Sequence, residues 1–551
     1  MVEARDAAGD AAGAASAVGR LRLGVILPPG EVPVWVLRLL DDIAAGQVAQ
    51  VVALTRSPAT SPVLPALAQY VAEDQARTAE APDPLALQPL ALAAPLSRDL
   101  ESVGPLDLVL DFGTGAGTEL LSPPLGVWSL RFGGERPVPG GQALFREVAQ
   151  GALHCDLVLL MQPRTGKPVV LSRSTTHVND RSLWRTAAPV AWKARALVRR
   201  ALERLHSLGR DAFLADVRAS VDQTLPPEPK PVTSAEFTLF RARYLFRRFL
   251  VPYVLVRDQW RIGIRRKAAG DPPWGSAAWA KGFRFIEAPP GRFYADPFLF
   301  ETGGKTFLFF EDWDWAQHYA VISVAEVAQD GTIGPARLAL DTGTHLSNPL
   351  VFAHEGEIYM IPETLARRRV EVYRAAEFPT QWDLYCLPME DTDIVDPCVM
   401  RETRADGSEG WLMFAAALDF GGSGWDELHI FRADELCGPW QPVGPQPALS
   451  DVRCARPGGR MWMKDGVLHR LTQNCAGGYG AGLGLYAVER LDETGYRQRP
   501  VAEVNAFDFG MNGVHAYDAT DKFEVVDGRH YQAVRGGRNW YWPFPRWFGK
   551  H

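Results

Sequence analysis

Five short segments in the second half of the chain open on a polar residue: Asp296, Asn348, Asp396, Arg456 and His515, spaced 52, 48, 60 and 59 residues apart. The first four are each followed by proline. Two carboxylates, an amide, a guanidinium and an imidazole around one cavity would suit a polyhydroxylated ligand, because carboxylates accept paired hydroxyls and a guanidinium clamps an anionic group. Glu311, Glu363 and Gln473 close the strands that follow and are expected to point the same way. Clustered carboxyls raise one another's pKa, which permits acid and base roles. The expected catalytic set is therefore Asp296, Asp396 and Glu363, with Asn348, Arg456, Gln473, His515 and Glu311 binding substrate. Trp313, Trp315, Tyr319, Trp425 and Tyr479 offer apolar ring faces on which a sugar can stack. Asp-Pro and Asn-Pro also start turns, and aromatics also fill cores. Recurrence at one spacing is what favours a ring of ligands.

The elements that would position these residues are strands. Each copy is a short apolar run, a turn and a second apolar run, the turns being Gly303 and Gly304, Glu355 and Gly356, the region of Asp406 and Gly407, Asp465 and Gly466, and Asp527 and Gly528. A period near 50 to 60 residues fits one four-stranded blade per copy, and five blades close a ring without long open edges. Residues 260–551 are read as a five-bladed β-propeller with a C-terminal tail. Its last strand, near 523–534, is expected to pair with 260–264 in a shared closing blade.

Residues 21–27, 48–54, 106–112 and 126–132 are buried-strand candidates, and 34–45 has helical periodicity, so residues 21–192 read as an α/β domain with a parallel sheet. The turn after the first strand, Pro28, Pro29 and Gly30, lacks the glycine pattern that cradles a pyrophosphate, which argues against a dinucleotide enzyme. Residues 193–267 hold 17 Lys and Arg against 7 Asp and Glu, while the whole chain has a net charge of −7. Helical stretches at 191–207 and 236–250 flank a proline-rich breaker at 225–231, giving a basic helical linker at 193–259. Its arginines and aromatics suit either packing or an anionic membrane surface. The acidic overall balance argues against a nucleic-acid partner. Six scattered cysteines without a C-x-x-C pair suggest a reducing cytosol and no zinc site. Residues 1–20 read as a flexible start without the apolar core of a signal peptide.

Residues 294–300 (YADPFLF), 309–311 (FFE), 359–363 (YMIPE), 455–459 (ARPGG) and 471–475 (LTQNC) with Tyr479 and Gly480 resemble the propeller domain of plant glucosamine inositolphosphorylceramide transferases and related bacterial proteins. That domain is distantly similar to the five-bladed arabinanase, invertase and levansucrase glycosidases. The resemblance implies that Asp296 matches the first-blade catalytic carboxylate and Asp396 the third-blade carboxylate that tunes the acid. The clan's general-acid glutamate falls at Ala455, Arg456 and Pro457, and arginine cannot donate a proton at working pH. Residues 126–135 (GVWSLRFGGE), with Gly140, Gly141 and Phe145, resemble formyltransferase domains that use formyltetrahydrofolate. In that register Ser129, Arg131 and Arg164 stand where the family has its Asn, His and Asp, which implies a degenerate domain that does not use formyltetrahydrofolate.

The expected function is that of a carbohydrate-active protein in surface polysaccharide or glycolipid synthesis, whose propeller binds a sugar and transfers a glycosyl group. A sugar N-formyltransferase and a non-catalytic glycan-binding scaffold are the alternatives. No resident cofactor or metal is expected. The donor would be a nucleotide sugar or other phosphorylated sugar, and the setting cytoplasmic, peripheral to the inner face of a membrane.

Overall fold

The computed structural model describes residues 19–58, 64–90, 96–116, 118, 121–137, 139, 142–227, 230–250, 256–404, 406–418, 423–535 and 538–541. Most of the expected flexible start, most of the C-terminal tail, and Gly140 and Gly141 lie outside them, as do the side chains of 246–250. The chain forms two compact units: 1–143 with 157–173 and 190–230, and 144–156 with 174–189 and 231–551. These do not coincide with limits at 192/193 and 259/260. The basic stretch is not a separate linker, because its first part belongs to the first unit and its last part to the second.

The first unit holds most of a six-stranded sheet in the order Ala49–Arg56, Leu21–Leu27, Leu108–Asp111, Val127–Phe132, His154–Gln162, Val169–His177. The first four strands are parallel, whereas His154–Gln162 runs antiparallel to Val127–Phe132, so the sheet is mixed. Leu23, Val25, Leu27 and Leu108 are fully buried, as expected for strands covered on both faces. The helix Val34–Ala45 follows the sequence reading residue for residue. Two cations of the basic stretch are neutralised within the first unit: Arg195 holds Asp42 at 2.6 and 2.7 Å, and Arg204 pairs with Asp216.

The second unit contains the propeller. Four consecutive antiparallel sheets open with Arg292–Thr302, Ser347–His354, Ile394–Thr403 and Trp462–Lys464. The fifth joins Val256–Arg266 and Arg284–Ile286 to Tyr517–Ala519 and Phe523–Arg535, with Trp260 opposite Arg529 and Ile264 opposite Val525. Both ends of the propeller therefore share the closing blade, and the architecture is five-bladed. Each seam has its own core. Phe309 and Ile322 meet Val351 and Met360 between the first two blades, and Ile361 and Val372 meet Met413 at the next. Phe414 and Ile430 meet Met461, Leu471 and Leu483 meet Val526, and Ile264 and Val525 meet Leu308 to close the ring.

The hairpin turns explain why the repeat was legible. Gly303 and Gly304, Glu355 and Gly356, and Asp465 and Gly466 all have positive φ at both central positions, the geometry whose twist matches paired strands. The fifth copy is different. Asp527 and Gly528, expected as a turn, lie within the strand Phe523–Arg535 opposite Ile262 and Arg261. Gly528 is needed there because a Cβ would come within 2.6 Å of the Phe285 ring. The cysteine reading is also corrected: Cys386 and Cys437 form a disulfide from the outer strand of the second blade to a loop of the third, while Cys155, Cys398, Cys454 and Cys475 are buried thiols outside that disulfide.

Candidate functional site: an axial cavity lined by acids and aromatics

The inner strands carry one local device three times. Asp296, Asn348 and Asp396 have φ of 48°, 46° and 48°, each at a break in strand register: between Ala295 and Phe298, Ser347 and Leu350, and Val395 and Cys398. Asp and Asn tolerate the left-handed region better than other side-chain-bearing residues, and the following proline disfavours the right-handed helical region. The resulting bulges re-aim these side chains out of strand alternation.

A cavity of about 230 Å³ is lined by Asp296, Glu311, Glu363, Arg456 and His515, together with Trp260, Phe293, Ala295, Trp313, His345, Ser347 and Tyr479. Five of the eight expected site residues thus meet at one cavity. Asn348, Asp396 and Gln473 do not line it but support those that do. The backbone N–H of Asn348 donates to Asp296 Oδ2 at 3.1 Å, and the backbone N–H of Asp396 donates to Glu363 Oε2 at 3.0 Å. Asp396 Oδ2 accepts from Arg456 Nε at 2.6 Å and from Gln473 Nε2 at 2.7 Å. The Arg456 charge is therefore already engaged by a buried carboxylate, which competes with the anion clamp expected from sequence.

His515 Nε2 lies 3.1 Å from Asp296 Oδ1, and its Nδ1 lies 2.5 Å from Asp527 Oδ2. Burial would lower the imidazole pKa, but Asp527 and then Asp296 outweigh it and push it up to about 10. Asp527, fully buried, is the residue that sequence reasoning missed, because Asp-Gly is a strong turn signal. One ligand atom each from Asp296, His515 and Asp527 falls within 4.8 Å of the others, a spacing that suits a cation. A doubly protonated imidazole has no lone pair for a metal, and it supplies the positive charge between the two carboxylates itself.

The glutamates behave in the opposite way. Burial, followed by Asp296, raises Glu311 well above the usual carboxyl range, and burial, followed by Asp396, raises Glu363 to about 8. A carboxyl raised to about 8, as Glu363 is, keeps its proton near neutral pH and is able to donate it. Phe293 and Trp313 stack at 5.6 Å with planes 3° apart, and Trp260 and Tyr479 flank His515 at 4.2 and 4.9 Å. Trp313 Nε1 is buried without a hydrogen-bond partner among the described residues. Of the other aromatics expected at the site, Trp425 packs behind Tyr479 and Trp315 against Trp313, while Tyr319 is directed to Asp341.

In the first unit, Ser129 and Arg131 lie on the strand Val127–Phe132, with Arg131 Nη1 donating to Ser129 Oγ at 3.0 Å, and Arg164 is exposed. Neither Ser129 nor Arg131 supplies a base for formyl transfer.

The family described as glucosamine inositolphosphorylceramide transferase 1, N-terminal, matches residues 285–525. The transferase of that name from Oryza sativa subsp. japonica is 35% identical over 218 residues, covering 38% of this chain and 28% of the relative. Its Arabidopsis thaliana counterpart is 34% identical over 214 residues, covering 38% and 27%. Among solved structures, a GH43 β-xylosidase/α-arabinofuranosidase from a compost metagenome overlaps 46% of this chain and 95% of its own at 13% identity and a TM-score of 0.31. An exo-β-1,3-galactanase from Phanerochaete chrysosporium overlaps 39% and 49% at 14% identity and a TM-score of 0.25. Overlaps this loose carry no argument for the chemistry of this chain. The formyltransferase likeness of the first unit draws no support from these comparisons. This chain is similar to plant glucosamine inositolphosphorylceramide transferases across most of its propeller and spans 28% of the length of the rice relative.

Proposed function

We propose that the propeller binds one sugar residue in the axial cavity and transfers a glycosyl group in the assembly of a glycolipid or surface polysaccharide. The observation that carries this reading is an acid, Glu363, raised to about 8 in the same aromatic-lined cavity as Asp296, which His515 holds at 3.1 Å. A neutral carboxyl beside a held carboxylate is the pairing that acid–base chemistry at a glycosidic bond requires. Glu363 is the proton donor to the leaving oxygen, Asp296 the group facing the acceptor, and Arg456 with Asp396 the frame that holds Glu363. Trp313 and Tyr479 take the sugar face. The similarity to transferases of glycolipid synthesis supports the substrate class.

The test uses full-length protein and a panel of nucleotide sugars with detergent-dispersed inositolphosphorylceramide as acceptor, scored by nucleotide release and glycolipid product. Asp296→Asn and Glu363→Gln should each lower turnover by at least about a hundredfold, within the usual range for a general acid or base, while sugar binding persists. Turnover that survives both substitutions sinks the proposal.

Binding without turnover by the wild type would favour a glycan-binding scaffold, for which the ion pair of Arg456 with Asp396 at 2.6 Å is the supporting observation. We further propose weak attachment to anionic lipid through the helix Ser234–Leu250, on which Leu239 and Leu245 are 63% and 40% exposed among arginines. Sedimentation with phosphatidylserine vesicles at low salt tests it, and no binding there removes it.

A further inference from the structure

We propose that the first unit carries a separate site for a phosphate or diphosphate group, formed by Arg131 and Arg136 at the carboxyl ends of its parallel strands.

The strand order reverses between Leu21–Leu27 and Leu108–Asp111, with Ala49–Arg56 on one side and Val127–Phe132 on the other. In open α/β sheets the crevice beyond the carboxyl ends of such strands is where ligands bind. Asp111 ends one of these strands and pairs in register with Ser129 of the next. Beyond Ser129 the chain turns back through Gly133 and Gly134, and Phe132 and Glu135 exchange both backbone hydrogen bonds at 2.7 and 3.1 Å. Arg131 and Arg136 flank that bridge, one residue before it and one after, and their like charges repel each other.

One carboxylate answers them. Arg136 Nη1 donates to Asp111 Oδ2 at 2.6 Å, and Asp111 is buried. Arg131 Nη1 is committed to Ser129 Oγ at 3.0 Å and the Leu130 carbonyl at 2.9 Å. Nε and Nη2 of both arginines carry no hydrogen bond among the described residues, leaving each guanidinium one complete two-donor edge. Gly115 allows this placement: a Cβ there would lie 2.7 Å from Arg136 Nη2. Burial, followed by the Arg136 charge, lowers Arg131 to about 10, consistent with excess positive charge held away from water.

Two guanidinium edges ask for more than one carboxylate, which saturates a single edge with its two oxygens. A phosphate offers three oxygens and can engage both. The sugar cavity of the propeller plays no part in this assignment.

Calorimetry on the full chain with inorganic pyrophosphate tests it, using wild type, Arg131→Gln and Arg164→Gln, the last removing an exposed arginine as a charge-matched control. Wild type and Arg164→Gln should bind alike, and Arg131→Gln should bind at least about tenfold more weakly, the worth of one charge-assisted contact. Because Arg131→Gln also relieves the like-charge pair, its Tm without ligand should equal or exceed that of wild type. Absent binding to wild type, unchanged binding by Arg131→Gln, a lowered Tm in that variant, or equal affinity for glutarate would each overturn the assignment.

Discussion

Replacing His515 by glutamine should remove a pH-dependent part of the stability of the propeller. His515 is fully buried, and Asp527 and Asp296 raise its pKa from 6.5 to about 10. Folding therefore takes up a proton at this ring. A pKa raised in the folded state stabilises fully below 6.5, and the contribution fades as pH climbs through about 10. A tenfold gain in proton affinity on folding is worth about 1.4 kcal/mol, so the whole interval sets a ceiling of about 5 kcal/mol. Urea unfolding of the full chain, followed by tryptophan fluorescence at pH 7, 8 and 9, measures it. The stability gap between wild type and His515→Gln should narrow by about 1.4 kcal/mol for each step of one in pH, about 3 kcal/mol in all. Groups that His515 does not influence cancel in that difference, including Glu363, whose own raised pKa makes stability fall between 4.5 and about 8. A gap that stays constant from pH 7 to 9 refutes a protonated His515 held between two carboxylates.

Arg456→Met leaves Asp396 buried without its 2.6 Å partner and should cost about 3 to 5 kcal/mol in the same assay, whereas pairing it with Asp396→Asn should recover much of the loss. Additive effects of the two substitutions would show that the pair is not coupled. Gly459→Ala places a Cβ 2.0 Å from the Tyr517 carbonyl at the seam of the fourth and fifth blades, at a φ of 146°, and should destabilise by more than about 2 kcal/mol, which a thermal melt reads directly. Thiol titration of denatured, unreduced protein should find four reactive cysteines, and reduction should lower stability by about 4 kcal/mol, as expected for a cross-link closing a loop of 51 residues. Six thiols before reduction would exclude the disulfide.

The repeat was legible because its signals are local. Two-residue turns such as Gly303 with Gly304 and Asp465 with Gly466, each between apolar runs, specify hairpins from neighbouring residues alone, and their recurrence at blade spacing specifies the repeat, although the fifth copy lacks the expected turn. Asp296, Asn348 and Asp396 were equally visible, since each residue type and its following proline favour the bulge that re-aims it. What the site does electrostatically was not legible. Asp396 and Arg456 look like ligands in the sequence, yet they meet across 60 residues and spend their charges on each other. Asp527 looks like a turn residue, but the closing blade draws it into a strand opposite Ile262 and sets it against His515. Cys386 and Cys437 show no motif, because their blades become neighbours only in the ring. Local sequence determines backbone conformation, which depends on a few adjacent residues. Protonation states, ion pairs and the division between cavity wall and support depend on which distant charges are brought together out of water, and only ring closure decides that.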